Sequence, residues 1–364
     1  MTAPAAFASL ASPRDVCVAS LDIKRLTVGD ATTAARWDAF VQASPAATFF
    51  HRAAWQRIVS EVFGHPTHFL YAERGGRIEG VLPLAHVKSL LFGNALVSLP
   101  FAVYGGVAAS NEAAAAALEG EAQRLAQRLG VDHLELRNVA PRHADWPKQD
   151  LYVTFRKEIQ ADEEANMLAI PRKQRAMVRK GIKNGLTSEI DANVDRFFAL
   201  YADNVHRHGT PAMPKRYFAA LMQEFGDDCE VLTAVGPDGK PLSSVLSFYF
   251  RDEVLPYYAG DDLDARETAA NDFKYWELMR RACARGLKIF DYGRSKQGTG
   301  SYSFKKNWGF EPQPLHYEYC LYRRDSIPQN NPSNAKYKLF IEAWRRLPIG
   351  LANRLGPYIV RNLG

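Results

Sequence analysis

A cluster of cationic and aromatic side chains lies in the last quarter of this 364-residue sequence. The stretch DYGRSKQGTGSYSFKKNWGF, residues 291–310, contains three glycines before the neighbouring residues Lys305 and Lys306. Glycine lets the backbone approach a ligand closely, and an ammonium group can stabilise the negative charge of an oxyanion or a phosphate. We therefore expect a loop that handles an acyl group or a phosphate. The alternative is an ordinary turn with surface lysines.

The start of this stretch supplies further candidates for a site. LKIFDYG, residues 287–293, predicts a strand, and side chains at strand ends in α/β sheets often face a ligand. Lys305 and Lys306 are adjacent, so we expect at most one of them to face the site. The other candidates are Asp291, Tyr292, Arg294, Tyr302 and Phe304.

A second basic cluster precedes the first by more than a hundred residues. RKQRAMVRKGIK, residues 172–183, holds six basic residues and no acidic one. Guanidinium groups grip phosphate in a fixed geometry, so as a helix the segment predicts an anion-binding face. A solvated helix face is the alternative, since charge runs commonly form one. The candidate contacts are Arg172, Lys173, Arg175 and Arg179.

The elements that must position these residues occur in the same order twice. In residues 18–160 the pattern predicts helix, helix, three strands, helix and two strands, with a hairpin turn at Arg74-Gly75-Gly76. Residues 191–325 repeat that order, with a turn at Pro237-Asp238-Gly239. Hairpins in the middle of each half disfavour a strictly alternating doubly wound fold. We therefore predict two similar α/β units with mixed sheets.

Composition limits the function classes only weakly. The formal net charge is +6, which is mildly basic and leaves any anion-binding role to local clusters. The four cysteines are scattered, so neither a zinc site nor a disulfide framework is indicated, and we expect no metal. The N-terminus is a poor signal peptide and no segment reaches the roughly 20 apolar residues of a spanning helix. We expect a cytoplasmic protein, soluble or peripheral at the inner face of a membrane.

Several of these segments resemble one known family. FDYGRSKQGTGSYSFKKNWGF and the preceding NDFKYWELMRRACARGLK closely resemble the C-terminal signature of the FemAB family. IPRKQRAMVRKGIKNGL resembles its basic linker helix, and TFFHRAAWQRIV resembles its N-terminal helix. PFAVYGGV, which contains Tyr104, is similar to the subgroup encoded with exosortase/PEP-CTERM exopolysaccharide systems. The resemblance spans roughly residues 45–323 and is most specific in 270–323.

The resemblance implies a fold and a division of the chain. The fold class is α/β (α+β), with two tandem GNAT-like units, each a mixed, largely antiparallel sheet flanked by helices, and a C-terminal helical tail. The expected segments are a disordered head at 1–17, a first unit at 18–160, a basic linker helix at 161–190, a second unit at 191–325 and an amphipathic tail at 326–364.

The activity that the resemblance implies is acyl transfer to an amine of an envelope glycan, a peptidoglycan precursor or an exopolysaccharide. Lys305 matches the family lysine that stabilises charge on the transferred carbonyl, and Asp291 is a candidate base. Tyr258, in the strand VLPYYAG, is a further candidate for substrate binding. The alternatives are an acetyl-CoA-dependent N-acetyltransferase of an exopolysaccharide amino sugar and a non-catalytic assembly or RNA-binding protein.

The acyl donor is either aminoacyl-tRNA or acyl-CoA. At the position of the usual GNAT pyrophosphate loop this chain has AGDDLDARETAAND, whose acidic residues would repel a diphosphate. Asp261 in that loop is a candidate to hold the acceptor amine. The long helical arm with which some family members grip tRNA has no room here.

The tail is both apolar and basic. NAKYKLFIEAWRRLPIGLANRLGPYIVRNLG follows Pro332, and Pro348 and Pro357 are expected to divide it into short pieces. One interpretation is that residues 333–364 pack against the body. The other is a contact with an anionic membrane, with Phe340 and Trp344 inserted, which would suit a lipid-linked precursor as acceptor.

Overall fold

The computed structural model describes residues 19–89, 93–328 and 335–362, so the predicted head at 1–17 lies outside the described residues. The strands are β1 Leu21–Arg25, β2 Thr67–Arg74, β3 Arg77–Ser89, β4 Gly93–Ser98, β5 Ala108–Ala109, β6 His133–Asn138, β7 Lys148–Gln149, β8 Tyr152–Glu158, β9 Thr187–Asp191, β10 Cys229–Val235, β11 Pro241–Phe250, β12 Glu253–Asp261, β13 Ile289–Asp291, β14 Ser295–Lys296, β15 Pro312–Pro314 and β16 His316–Leu321. The α-helices are α1 Ala31–Ala43, α2 Ala54–Arg57, α3 Glu112–Leu129, α4 Glu163–Ala169, α5 Arg172–Lys183, α6 Asp195–Arg207, α7 Lys215–Phe225, α8 Ala265–Thr268, α9 Ala270–Ala284, α10 Gly300–Asn307, α11 Ala335–Arg346 and α12 Ile349–Val360.

Two sheets of matching design form the body of the protein. The first has the strand order β1-β2-β3-β4-β6-β16-β7, and the second has the order β14-β8-β13-β12-β11-β10-β9. Each contains one parallel pair, β4 with β6 and β12 with β13, joined by the crossover helices α3 and α9. The remaining pairs are antiparallel, as the hairpins in the sequence predict. Gly75 and Gly76, in the predicted turn between β2 and β3, both have positive φ, 54° and 82°.

The two units exchange one strand each. β8 lies in the N-terminal half of the chain but pairs with β13 of the second sheet. β16 lies in the C-terminal half but pairs with β6 of the first sheet. The predicted boundary at residue 160 therefore does not separate the sheets. Both strands alternate apolar and polar residues, and that pattern predicts a strand without specifying the sheet edge that it joins.

The basic segment 172–183 forms a helix over the predicted residues, but it is not a free linker. Val178 and Gly181 of α5 are buried, and a side chain at Gly181 would meet Phe273 of α9. β9, which begins at Thr187, is an edge strand of the second sheet. Most of the predicted linker at 161–190 is thus part of the second unit, because its apolar stripe needs α9 as a packing partner.

Helix α3 covers one face of the first sheet and leaves the other face free to line a site. Asn111 caps α3 by accepting a hydrogen bond from the backbone N–H of Ala114, and Gly130 ends the helix with a φ of 61°. The buried side of α3 packs against Leu134 and Leu136 of β6. Side chains alternate across a strand, so His133, Glu135 and Arg137 point to the opposite face.

The tail forms two helices that pack on the body. Pro348 separates α11 from α12, whereas Pro357 lies inside α12 without ending it, contrary to the predicted division. Trp344, predicted to insert into a membrane, is instead only 4% exposed, and the His206 imidazole contacts its carbonyl oxygen at 3.1 Å. In the part of the chain that is described, no helix combines the length and apolarity needed to span a bilayer.

Candidate active site

Lys305 lies on a helix rather than in the predicted loop. Thr299 caps α10 by accepting a hydrogen bond from the backbone N–H of Tyr302. The helix directs the Lys305 side chain inward, where the residue is 9% exposed, and leaves Lys306 exposed to solvent. The expectation that only one of the two lysines faces the site is consistent with this placement. Glycine-rich segments are typical of loops, so Gly298 and Gly300 on either side of Thr299 favoured a loop over a helix start in the sequence.

The Lys305 ammonium is fully engaged by the backbone. Its Nζ donates to the carbonyl oxygens of Tyr292, Gly293 and Arg294 at 2.7, 3.0 and 3.2 Å. Burial lowers the pKa of Lys305 to about 7, whereas the three carbonyl groups favour its charged form. An ammonium has three donors, so none is left for an oxyanion. The predicted oxyanion role does not fit this geometry; Lys305 holds the 292–294 turn.

The turn that Lys305 holds presents Arg294 to a cavity. The guanidinium of Arg294 lies over the Tyr152 ring, 4.7 Å from its centroid. Its hydrogen bond to the Tyr317 hydroxyl is long, 3.4 Å, and no other for this guanidinium is found within the described chain. Arg294 is surrounded by protein on most sides, yet its side chain is accessible. The accessible part of the side chain lines the cavity. Most of its N–H donors are therefore free for a ligand.

The cavity lies between the two units and has a volume of about 690 Å³. Pockets that hold small ligands are typically ~300–1,000 Å³. The pairing of β12 with β13 ends at Val254 and Phe290. Beyond this point, residues 256–258 of β12 and residues 292–294, which follow β13, line the cavity. The second unit contributes Pro256, Tyr257, Tyr258, Tyr275, Tyr292, Gly293, Arg294, Ser301 and Lys305 to the wall. The first sheet contributes Val87, Ala95, Val97, His133, Glu135, Arg137, Gln149, Tyr317 and Tyr319.

The polar residues of the first sheet were missed by sequence reasoning. Arg137 is buried and donates to Glu135 and to the carbonyl oxygen of Ala102, both at 2.7 Å. Its guanidinium lies 5.3 Å from the centroid of the Tyr317 ring, whose hydroxyl contacts Arg294. The sequence signal that could have identified these residues is HLELRN, in which His133, Glu135 and Arg137 alternate with leucines. In the structure all six residues of this strand are buried. Two guanidinium groups and one carboxylate leave this end of the cavity positively charged.

Asp291 lies next to the site but does not line the cavity. Its carboxylate accepts from the backbone N–H of Gly293 at 2.7 Å and from the Thr154 hydroxyl at 3.3 Å, and it pairs with Arg156 at 3.2 Å. Burial raises the pKa of Asp291, and the charge of Arg156 opposes that rise. The carboxylate orders the turn rather than reaching a substrate, so its predicted role as base is not supported by its position.

Three of the predicted aromatic contacts also lie outside the cavity wall. Tyr104 is buried, with its ring 6.1 Å from that of Phe50. Tyr302 packs edge-on against Phe155, and Phe304 packs against Trp308. Tyr258 and Tyr292 do line the cavity, and their contact with a substrate stays a prediction. The Tyr292 hydroxyl is buried and has no hydrogen-bond partner among the described residues.

Two lysines of the protein pair with three carboxylates of the acidic loop before α9 and offset only part of its negative charge. Asp261 accepts from the buried ammonium of Lys274 at 3.0 Å. Asp262 and Asp264 both pair with Lys240, at 2.8 and 2.7 Å. Asp261 is therefore not free to bind an acceptor amine. Ala270, the first residue of α9, is buried and offers no surface to a ligand.

The basic face of α5 forms a separate feature. Arg172, Arg175 and Arg179 border one shallow depression, whereas Lys173 does not. They lie three and four residues apart, which places them on one side of the helix. No residue of α5 is among the described residues that line the cavity. The two basic clusters of the sequence are thus not brought together in one site.

The structure gives no place for a metal ion in the residues that it describes. No group of three or more His, Cys, Asp or Glu side chains is arranged to hold one in that part of the chain. Cys229, Cys283 and Cys320 are free thiols, and Cys17 lies outside the described residues.

Residues 172–306 match the protein family described as acetyltransferase (GNAT) domain. The matched region contains α5, β9–β14, most of α10 and the Lys305–Arg294 constellation. This chain is an acyltransferase. A search of curated protein sequences finds no match to the acyltransferase.

Solved structures extend the likeness over most of the acyltransferase. FemX aligns with a TM-score of 0.63 at 15% identity, covering 82% of this chain and 97% of FemX. A tandem GNAT protein from the clavulanic acid biosynthesis pathway aligns with a TM-score of 0.54 at 13% identity, covering 85% of this chain and 100% of that protein. The C-terminal domain of a putative lysylphosphatidylglycerol synthetase from Agrobacterium fabrum aligns with a TM-score of 0.55 at 14% identity, covering 79% of this chain and 92% of that domain. At these identities the likeness establishes the tandem GNAT-like fold.

Proposed function

We propose that this acyltransferase forms an amide by moving an acyl or aminoacyl group onto an amine of a cell-envelope glycan, a peptidoglycan precursor or an exopolysaccharide. The observation that carries the proposal is the Arg294 guanidinium, which faces the cavity between the two units with most of its donors free. A guanidinium in that position can bind the carbonyl oxygen of the donor and stabilise the charge that develops on it.

In this mechanism Arg294 replaces Lys305 as the group that touches the reacting carbonyl. Lys305 is a positioning residue, because its contacts with the carbonyl oxygens of 292–294 set the direction of Arg294. Arg137 adds a second positive charge behind Tyr317. The amine nitrogen attacks the carbonyl carbon, and the bond from that carbon to the leaving oxygen or sulfur breaks. The proton lost by the nitrogen ends on that leaving atom, which departs as the tRNA hydroxyl or the CoA thiol.

The donor is aminoacyl-tRNA or acyl-CoA, and the basic face of α5 is our proposed contact for its phosphate groups. Two observations favour a donor other than acyl-CoA in the second unit: the buried start of α9 and the acidic loop before it. Titration calorimetry with CoA separates the two, since tight binding would favour an acetyl-CoA-dependent enzyme. The link to exosortase/PEP-CTERM exopolysaccharide systems and a location at the inner face of the membrane belong to the same proposal.

Mass spectrometry of envelope glycans and peptidoglycan precursors, with and without the gene, tests the proposed function. We expect a defined mass difference equal to the transferred group. Complementation with Arg294→Gln should fail to restore that mass, and complementation with Lys306→Gln, which changes an exposed lysine of the same helix, should restore it. Full restoration by Arg294→Gln, with the protein at normal abundance, would refute the assigned role of the guanidinium.

A further inference from the structure

The tail helices expose an apolar surface that the described chain does not cover. On α12, Leu351, Leu355 and Tyr358 recur at intervals of four and three residues, which places them on one side of the helix. Tyr358 is 70% exposed, and Leu339 on α11 is 73% exposed. We call Leu339, Ile349, Leu351, Leu355 and Tyr358 the tail surface; all five are large apolar residues open to solvent.

The opposite side of the tail is anchored to the body. Trp344 and Val360 are buried, and the backbone of Gly209 lies so close to Ile341 that a Cβ there would be 2.4 Å from a side-chain carbon. The His65 imidazole contacts the Arg361 carbonyl oxygen at 2.7 Å. The tail surface is thus held in a fixed orientation and needs no refolding to meet a partner.

Charge around the tail surface is predominantly positive. Arg345, Arg346 and Arg354 are exposed, and no carboxylate of the described residues forms an ion pair with them. Glu342 is the single acidic residue in 335–362. Apolar side chains rimmed by unpaired arginines match the headgroup region of an anionic bilayer, where both features gain free energy.

The same two helices form a wall of the cavity. Phe340, Ile341, Ile359 and Val360 line it from the tail, and Met213 lies on the same side. A helix with its side chains is ~10 Å across, so the cavity wall and the tail surface are separated by about one helix. A membrane beneath the tail would therefore lie next to the apolar part of the cavity.

We infer that the tail surface docks this protein on an anionic phospholipid membrane. The membrane then presents a lipid-linked acceptor beside the cavity, and only this consequence rests on the proposed function. Docking itself requires no acyl transfer, so vesicle binding tests it separately from the chemistry.

The test is co-sedimentation of the full chain with vesicles of phosphatidylcholine alone and with ~30% phosphatidylglycerol added. We expect binding to the anionic vesicles that weakens at high salt. The double variant Leu351→Ser/Leu355→Ser should bind at least about tenfold more weakly, because two apolar anchors are lost. Neither residue lines the cavity, and both are exposed, so the unfolding midpoint should not change.

Leu263→Ser supplies the matched control, since Leu263 is a 72% exposed leucine away from the tail. It should bind vesicles like the unaltered protein. Absence of vesicle binding by the unaltered protein, or equal loss in Leu263→Ser, would overturn the inference. A concentration-dependent dimer that the double variant abolishes, without vesicle binding, would instead assign the tail surface to a second copy of the chain.

Discussion

At the residue scale, the distinction between Lys305 and Arg294 carries most of the functional argument. The resemblance to the FemAB family predicts that Lys305 stabilises charge on the transferred carbonyl. Its contacts with three carbonyl oxygens give it a different task. Arg294 is the cation that retains free donors toward the cavity.

Replacing Lys305 should therefore damage both stability and activity. Lys305→Ala leaves three carbonyl groups without their donor, and a buried unsatisfied polar group costs ~1–3 kcal/mol. We expect the free energy of unfolding to fall by ~2–4 kcal/mol in denaturant titration, together with a loss in kcat. Arg294→Gln should lower kcat by a comparable factor and leave the unfolding free energy within ~0.5 kcal/mol. A stable, inactive Lys305→Ala protein would favour direct contact with the substrate instead.

A second residue, His51, gives the protein an acid-sensitive point. It is 1% exposed, its Nδ1 accepts from the Thr48 backbone N–H at 3.0 Å, and its Nε2 contacts the Gly106 carbonyl oxygen at 2.8 Å. Burial lowers the pKa of His51 to about 4. Protonation would place a hydrogen on Nδ1 against the Thr48 N–H.

Stability should accordingly fall as the pH falls. Above pH 6.5 the ring is neutral in both states, and between 6.5 and 4 the unfolded chain binds a proton that the folded chain does not. The lowering of the His51 pKa from 6.5 to about 4 corresponds to about 3 kcal/mol of unfolding free energy. The unfolding free energy of the unaltered protein minus that of His51→Gln should shrink by about this amount from pH 7 to pH 4. A difference that stays constant between pH 7 and pH 4 would contradict the assignment.

At the element scale, helix α5 has an apolar side that packs on the protein and a basic side that faces solvent. Its apolar stripe packs on α9, and its outer side carries Arg172, Arg175 and Arg179 around one depression. Lys173 and Lys180 are exposed but do not border the depression. The helix thus carries three arginines around the depression and two exposed lysines on another side.

The arginine face should account for binding of a phosphate-bearing donor. Arg175→Gln/Arg179→Gln should weaken tRNA binding in a fluorescence titration ~10-fold and lower the slope of log K against log salt by about 2, as each lost phosphate contact contributes ~0.9. Lys173→Gln/Lys180→Gln removes the same charge and should have a smaller effect. Equal effects of the two double variants would indicate non-specific attraction by net charge.

At the scale of the whole molecule, the two units share one core. Phe49 of the first half stacks on Phe248 of the second, with ring centroids 4.4 Å apart. Arg52 pairs with Asp228 at 2.7 Å, and Arg251 donates to the Ser44 carbonyl oxygen at 2.6 Å. Together with the exchanged strands, these contacts couple the folding of the two sheets.

We therefore expect the chain to unfold in one calorimetric transition, although a protein of this length with two units would ordinarily show more. Phe248→Ala should lower the free energy of unfolding by ~3–5 kcal/mol. It should still give one transition, because the void left by the Phe248 ring lies in the shared core and weakens both units. Ile190→Ala, at an exposed position of the edge strand β9, should shift the midpoint little. Two resolved transitions in the unaltered protein would show that the units fold independently.

The sequence alone determined most elements and the repeated plan. The helix predicted at 172–183 covers the residues of α5, and the caps that Asp30 and Asn111 provide for α1 and α3 act within a few residues of chain. The tandem GNAT-like architecture was also predicted, and the structural relatives agree with it. Local signals of this kind need no knowledge of distant contacts.

Only the tertiary structure decided where the charged groups point. Lys305 and Arg294 are close in sequence, yet which one meets a ligand depends on the carbonyl groups of a turn eleven or more residues away from Lys305. The exchange of β8 and β16 depends on which sheet edge is open, and Arg137 reaches the cavity only because α3 covers the other face of β6. Such choices are set by packing between distant segments, and residue patterns within one segment do not encode them.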